Sequence, residues 1–128
     1  MKPLTREWVE KADADLHSAE RELRARKYIN YDSACFHAQQ CVEKYIKARL
    51  TEANIFFPKT HELTYLLELV RPVEPLWTAY AEAFRLLTDY EVEFRYPGQN
   101  ATKEEAQEAI RLCKNICATV RQSLGLPE

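Results

Sequence analysis

Apolar side chains recur every three or four residues along most of the chain, which is the spacing of a helix with one buried face. The first such run extends from about Thr5 to Arg26 and includes Trp8, Leu16 and Leu23. Thr5 is the expected N-cap, and the three cations that close the run suit the negative end of the helix dipole. This pattern predicts a long amphipathic first helix.

The same spacing predicts four further helices. They cover about Asp32–Ala53, His61–Val70, Pro75–Glu93 and Lys103–Leu124. Asp32 or Ser33 is the expected cap of the second helix, and Thr60 that of the third. A capping box formed by Thr102 and Glu105 marks the start of the fifth.

No segment alternates with the two-residue period of a strand. We therefore predict an all-α fold, an antiparallel up-and-down bundle of four long helices and one short helix. The loops between the predicted helices are only a few residues long, so residues 1–128 are expected to form a single domain. In the fourth helix, Leu76 is expected on the buried side.

Composition excludes several function classes. The 128 residues include only two glycines, Gly98 and Gly125, so the glycine-rich phosphate loops of Rossmann and P-loop proteins are absent. The net charge of −2 gives no overall basic excess, so any nucleic-acid site has to be local. The N-terminus carries no apolar leader, and no 18-residue apolar run occurs. We expect a cytoplasmic protein without a membrane segment.

The four cysteines are Cys35, Cys41, Cys113 and Cys117. Their spacings differ from the C-x2-C half-site of zinc proteins, and cytosolic thiols are normally reduced. We expect small buried core residues, and neither a metal nor a cofactor. Because Cys113 and Cys117 lie one helical turn apart, a metal site is the minor alternative.

A polar stripe follows one face of the second helix. Its members are Ser33, His37, Gln40, Lys44 and Lys47. No acid of the stripe pairs with the two lysines, and Glu43 lies to one side. Lysines without a counter-charge, beside a histidine and an amide, suit an anionic ligand such as phosphate; the alternative is an ordinary solvated surface.

Two loops add candidate anion contacts. Lys59 and His61 lie next to the start of the third helix, where backbone N–H groups favour anions. The alternative there is that Thr60 caps the helix and His61 is structural.

Arg95 and Tyr96 lie where Pro97 and Gly98 end the fourth helix. Arginine at such a turn can bind phosphate bidentately. The alternative is an ion pair of Arg95 with Asp89 or Glu91. No common catalytic template is present, so the catalytic candidates are limited to Arg95, His37 and His61.

Three segments resemble one known family. The runs are Tyr31–Leu50 (YDSACFHAQQCVEKYIKARL), Pro58–Leu63 (PKTHEL) and Leu87–Pro97 (LTDYEVEFRYP), preceded by Trp8 and Asp15-Leu16 in the opening helix. They are similar to HEPN (higher eukaryotes and prokaryotes nucleotide-binding) domains. The resemblance implies a helical bundle that forms a homodimer, with a minimal nucleotidyltransferase as partner in a toxin–antitoxin-like system.

Many such proteins are metal-independent ribonucleases with an Arg-x4–6-His motif. The corresponding positions after Arg95 are Asn100, Ala101 and Thr102, and none is histidine. The resemblance still implies a polar cleft that binds the phosphate of a nucleotide or of RNA. The resemblance places in it His37, Gln40, Lys44, Lys47, Lys59, His61, Arg95 and Tyr96.

The leading hypothesis is a binding and interaction module without an assigned catalytic activity. One alternative is a ribonuclease in which Arg95 stabilises charge and His37 or His61 is the base. Another is a structural adaptor whose contact surface consists of exposed aromatic side chains. Those side chains are Phe56, Phe57 and Tyr96.

Overall fold

The computed structural model describes residues 1–127, which form five α-helices and one 3₁₀ helix, with no strand among them. The elements are α1 (Pro3–Arg24), α2 (Tyr31–Glu52), α3 (Leu63–Val70), the 3₁₀ helix (Pro75–Tyr80), α4 (Ala81–Glu93) and α5 (Lys103–Ser123). The predicted all-α bundle is confirmed. None of the helices in this part of the chain combines the length and apolar character needed to cross a bilayer.

Helix α2 is the centre of the bundle. Thirteen of its 22 residues are buried, and it packs against each of the other four α-helices. Tyr45, Ile46 and Leu50 are among the largest side chains of the core. Because α2 is enclosed on most sides, its polar side chains must find partners inside the protein.

The start of α1 differs from the prediction. The helix begins at Pro3, where a missing N–H is harmless. Thr5 is fully buried, and its hydroxyl donates to Glu52 at the end of α2, over 2.9 Å, rather than capping α1. The expected N-cap is wrong because a contact between helices uses the hydroxyl.

The start of α2 differs in the same way. Its cap is Asn30, whose side chain accepts from the backbone N–H of Ser33 at 3.0 Å. The carboxylate of Asp32 instead accepts from the backbone N–H of Ala101 at 2.7 Å. Asp32 therefore ties the beginning of α2 to the loop that precedes α5.

Helix α3 begins at Leu63, two residues later than predicted, and Thr60 is not its cap. The carbonyl of Thr60 accepts from Lys47 Nζ at 2.9 Å, and the carbonyl of His61 accepts from Gln39 Nε2 at 3.2 Å. These two bonds from α2 hold the segment before Leu63 outside the helix.

The predicted fourth helix is divided. Its first six residues are a 3₁₀ helix, and α4 proper begins at Ala81. With three residues per turn, Trp77 and Tyr80 share one side. Trp77 is therefore 6% exposed, whereas Leu76, predicted to be buried, is 85% exposed.

The prediction for α5 is confirmed at its start. Thr102 and Glu105 form the complete capping box, in which each side chain accepts from the other's backbone N–H. Past its end, Gly125 has a φ of 73°, the left-handed conformation that favours glycine after a helix.

Candidate functional site

The first polar cluster joins α1 to the middle of α2 through the carboxylate of Asp15. His37 Nδ1 lies 2.8 Å from one Asp15 oxygen, and Lys44 Nζ lies 2.5 Å from the other. All three side chains are less than one-third exposed. Because Nδ1 of His37 faces the carboxylate, its Nε2 is the ring nitrogen left for a ligand.

The second polar cluster surrounds Lys47 on α2. Its ammonium donates to Glu43 Oε2 at 3.0 Å and to the Thr60 carbonyl at 2.9 Å. The rings of Trp8 and Phe57 lie 5.5 and 5.8 Å from the same nitrogen, within cation–π range. Lys47 is only 6% exposed, so its charge is satisfied inside the protein.

The second cluster continues to His61 and the two glutamines of α2. His61 Nδ1 lies 2.9 Å from Glu43 Oε1, although the histidine side chain is mostly exposed. Gln40 donates to Gln39 at 2.8 Å, and Gln39 donates to the His61 carbonyl. Gln40 therefore belongs to a buried amide chain that positions the α2–α3 loop.

The premise that the two stripe lysines lack a counter-charge is wrong. Lys44 pairs with Asp15 of α1, and Lys47 pairs with Glu43 of its own helix. Packing of α1 against α2 brings Asp15 to Lys44 from 29 positions away in sequence. Glu43 reaches Lys47 because residues four apart share one helix face.

Arg95 and Tyr96 lie beyond the end of α4, whose last residue is Glu93. Arg95 forms an ion pair with Glu91, so the alternative that it pairs with this acid is confirmed. Its side chain is 58% exposed. It borders an open cavity of about 360 Å³ that the start of α2 closes on the other side. The cavity is lined by Asn30, Asp32, Ser33, Phe36, Tyr90, Glu91, Phe94 and Arg95.

Tyr90 supplies a hydroxyl beside this cavity. Burial, followed by the carboxylates of Glu108 and Glu105, raises the pKa of Tyr90 to about 12. The hydroxyl is therefore protonated in neutral solution and donates to Glu108 at 3.4 Å.

The remaining sequence candidates lie on the surface. Lys59 is exposed and makes no ion pair within residues 1–127. Phe56 and Tyr96 are also exposed, but Phe57 is half-buried against Trp8, with ring centroids 6.1 Å apart. The expectation that Phe57 is an exposed contact residue is therefore wrong.

The sequence missed two sets of residues. Asp15 was missed because its role depends on the packing of α1 against α2. Glu43 was placed to one side of the stripe, although it lies four residues before Lys47 on the same helix. The cysteines were predicted to be buried and are, all four as free thiols, but the meeting of three of them was not predicted. The C-x3-C spacing of Cys113 and Cys117 indicated that two of the thiols lie close together on one helix. The third thiol, Cys41, comes from α2, and no spacing in the sequence connects it to the other two.

A known family and a curated protein match this chain over most of its length. A family model described as the HEPN domain matches residues 5–123. "Putative toxin MJ1304" of Methanocaldococcus jannaschii is 26% identical over 134 residues, an alignment that covers 91% of this chain and 86% of that protein.

Two crystal structures have the same fold over nearly the whole chain. TT1696 from Thermus thermophilus superposes with a TM-score of 0.74 at 28% identity, covering 92% of this chain and 96% of its own. ST0689, described as an archaeal HEPN homologue, gives a TM-score of 0.69 at 25% identity, with coverage of 96% and 98%.

Proposed function

The chain belongs to the HEPN family, and we propose that it is one component of a toxin–antitoxin-type pair. In that role it is an interaction module that also binds the phosphate of a nucleotide or RNA. The family match across residues 5–123 carries the proposal. The toxin name of the Methanocaldococcus relative supports it. The proposed second component is a minimal nucleotidyltransferase.

Arg95 is the proposed phosphate contact. A guanidinium has five N–H donors, and within residues 1–127 only the pair with Glu91 occupies one of them. A phosphate can therefore bind the remaining donors without breaking that pair. The cavity beside Arg95 is open to solvent and large enough for a phosphate group, at about 360 Å³.

Lys44 and Lys47 are less suited to bind phosphate directly. Each would first have to leave its carboxylate, and for the buried Lys47–Glu43 pair that separation costs several kcal/mol, roughly 3 to 5. Their proposed contribution, like that of Gln40, is to hold the surface that presents His37 and His61. Lys59, which has no carboxylate partner in the described chain, is a further exposed cation in the loop before α3.

We propose that residues 1–128 form one domain and that two copies pair through the region around Arg95. Phe36 and Val92 are both more than two-fifths exposed there, at 43% and 49%. Burying these two side chains in a partner copy would be favourable. Light scattering should then give twice the chain mass, and Val92→Glu should give the monomer.

Calorimetric titration with ATP, GTP and a short single-stranded RNA tests the ligand. Arg95→Ala should weaken binding of the active ligand by about tenfold or more, as expected for loss of a charge-assisted contact. The matched control is Arg85→Ala, because Arg85 on α4 is about as exposed, at 64%, and also forms one ion pair, with Glu82.

Co-purification with the product of the adjacent gene tests the partner. A stable complex with a nucleotidyltransferase is the expected result. A complex that survives Arg95→Ala but is lost on changing Phe56 or Tyr96 to alanine, in a protein that binds no nucleotide, would favour the structural adaptor instead.

A metal-independent ribonuclease is the second candidate, and one contact favours it. Asp15 holds Nδ1 of His37, which leaves Nε2 to act as a base, as in other carboxylate-oriented histidines. Ser33, on the wall of the Arg95 cavity, lies one helical turn before His37. Cleavage of RNA in EDTA that is abolished by His37→Ala, and unaffected by His17→Ala, would establish this activity.

A further inference from the structure

Three thiols meet in the core where α2 packs against α5. Cys41 comes from α2, and Cys113 and Cys117 lie one turn apart on α5. Sγ of Cys117 is 3.2 Å from Sγ of Cys41 and 3.7 Å from Sγ of Cys113. All three sulfur atoms lie within 4.8 Å of one another. We call Cys41, Cys113 and Cys117 the thiol triad.

The spacing of the thiol triad is close to that of a metal site. Zinc–sulfur bonds of about 2.3 Å at tetrahedral angles place neighbouring sulfur atoms ~3.8 Å apart. Two of the separations, 3.2 and 3.7 Å, are slightly shorter than this value, and the third is at most 4.8 Å. Small side-chain rotations would therefore suffice to surround one ion.

A path from solvent reaches the thiol triad at Cys117. A cavity of about 350 Å³ between α1 and α5 is lined by Cys117 and by His17 of α1. His17 is exposed and makes no hydrogen bond or ion pair within residues 1–127. Its ring is therefore unoccupied within the described residues, and it lies on the wall of the cavity that opens onto the thiol triad.

We propose that the thiol triad binds one zinc ion, with His17 turning into the cavity as the fourth ligand. Three cysteines and one histidine form a standard closed zinc site. Binding releases three thiol protons and leaves a complex with one negative charge. Arg121 and Lys114 also line the cavity, where they pair with Asp13 and Glu20.

The charge balance favours zinc over copper. A monovalent copper ion held by the same three thiolates would leave two negative charges in a region where Cys41 and Cys113 are 0% exposed. Burying a second uncompensated charge is unfavourable. Zinc would fasten α1, α2 and α5 together, so the stability of the bundle would depend on the metal.

Titration of the reduced full-length chain with cobalt, followed by displacement with zinc, tests the site. The expected result is one ion per chain, with thiolate-to-cobalt charge-transfer bands and the visible bands of a tetrahedral ion, both lost on adding zinc. Absence of these bands, or a band intensity that indicates fewer than three thiolates, would overturn the proposal. So would a reduced chain whose melting temperature is unchanged by zinc.

Variants identify the ligands. Cys113→Ser and Cys117→Ser should each weaken cobalt binding by at least about a hundredfold, more than the loss of an outer-shell partner. Cys35→Ser is the matched control, since Cys35 is also buried on α2 but lies outside the triad. Circular dichroism in chelator establishes that each variant is folded. Equal binding by a folded Cys117→Ser variant would overturn the site.

His17→Gln tests the fourth ligand without touching the core. It should weaken binding by at least about tenfold, the lower end of what even an outer-shell partner contributes, and change the visible cobalt spectrum. Leu16 and its neighbours on α1 are unaffected, so an unchanged melting temperature in chelator is expected. An unchanged cobalt spectrum would overturn the assignment of His17.

Discussion

The polar face of α2 and the turn after α4 carry the same kinds of side chain in opposite settings. On α2, Lys47 is 6% exposed and its ammonium contacts a carboxylate, a carbonyl and two aromatic rings. After α4, Arg95 is 58% exposed and has one carboxylate partner. The cation on α2 is a structural part of the bundle, whereas the cation after α4 has donors to spare.

The difference shows that a polar stripe on a central helix is a poor guide to a ligand site. Because α2 contacts every other α-helix, its charged residues face protein and are neutralised there. A cation at a helix end on the surface stays in contact with water, so leaving it accessible costs little desolvation free energy. The predictions below test this contrast.

The largest effect is expected from Glu43→Gln. This change leaves Lys47 charged and buried without its carboxylate, so the free energy of unfolding should fall by about 3 kcal/mol. Denaturation in urea measures it. Glu82→Gln is the control, since Glu82 pairs with Arg85 on the exposed face of α4, and that pair should contribute less than about 1 kcal/mol.

Asp15→Asn should have a smaller effect on stability and a visible effect on ligand binding. Loss of the carboxylate removes the counter-charge of Lys44 and the hydrogen-bond partner of His37 Nδ1. Affinity for a short RNA should rise about threefold at low salt, because a freed cation attracts phosphate. The control is Asp89→Asn, which makes the same change in net charge at an exposed site on α4. Equal gains by both variants would show that Asp15 does not mask the α2 face.

A smaller, pH-dependent effect is expected where α1 begins. The backbone N–H of Lys2, and then the hydroxyl of Thr5, donate to Glu52 and lower the pKa of its carboxyl in the folded chain. This stabilisation is complete above the unfolded pKa of about 4.3. It is lost as the pH falls through the lower, folded pKa. Glu52→Gln should reduce the acid-induced loss of stability relative to wild type, as measured by melting temperature against pH.

The smallest effect on stability is expected from Arg95→Ala. The guanidinium is 58% exposed and makes one ion pair, with a Glu91 side chain that is only 7% exposed, so the free energy of unfolding should fall by about 1 kcal/mol. If the free energy of unfolding fell by as much as is expected for Glu43→Gln, the two regions would not differ, and Arg95 would be a structural residue.

Features that depend only on residues close together in the sequence could be predicted. The capping box of Thr102 and Glu105 is local, because both partners lie within one turn. Thr5 and Asp32 also match the cap pattern, yet their oxygens contact Glu52 and the backbone of Ala101. Neither partner lies within the same helical turn, so no local pattern could select between the two uses of the side chain.

For the candidate site residues too, position could be predicted from the sequence but pairing could not. The sequence placed His37, Lys44 and Arg95 at polar or irregular positions, which their spacing and the neighbouring proline and glycine are enough to indicate. It could not state which of them are neutralised. Asp15 is 22 residues from His37 and 29 from Lys44, and only the packing of α1 on α2 brings the three together.

The sequence by itself determined the number of α-helices, their approximate bounds and the all-α class, because helical periodicity and capping act within a few residues. Tertiary structure alone decided which charges are buried in pairs, which cation remains accessible, and that Cys41 joins Cys113 and Cys117. The physical reason is that desolvation and pairing energies depend on contacts between helices, and the positions that meet across those contacts are far apart in the chain.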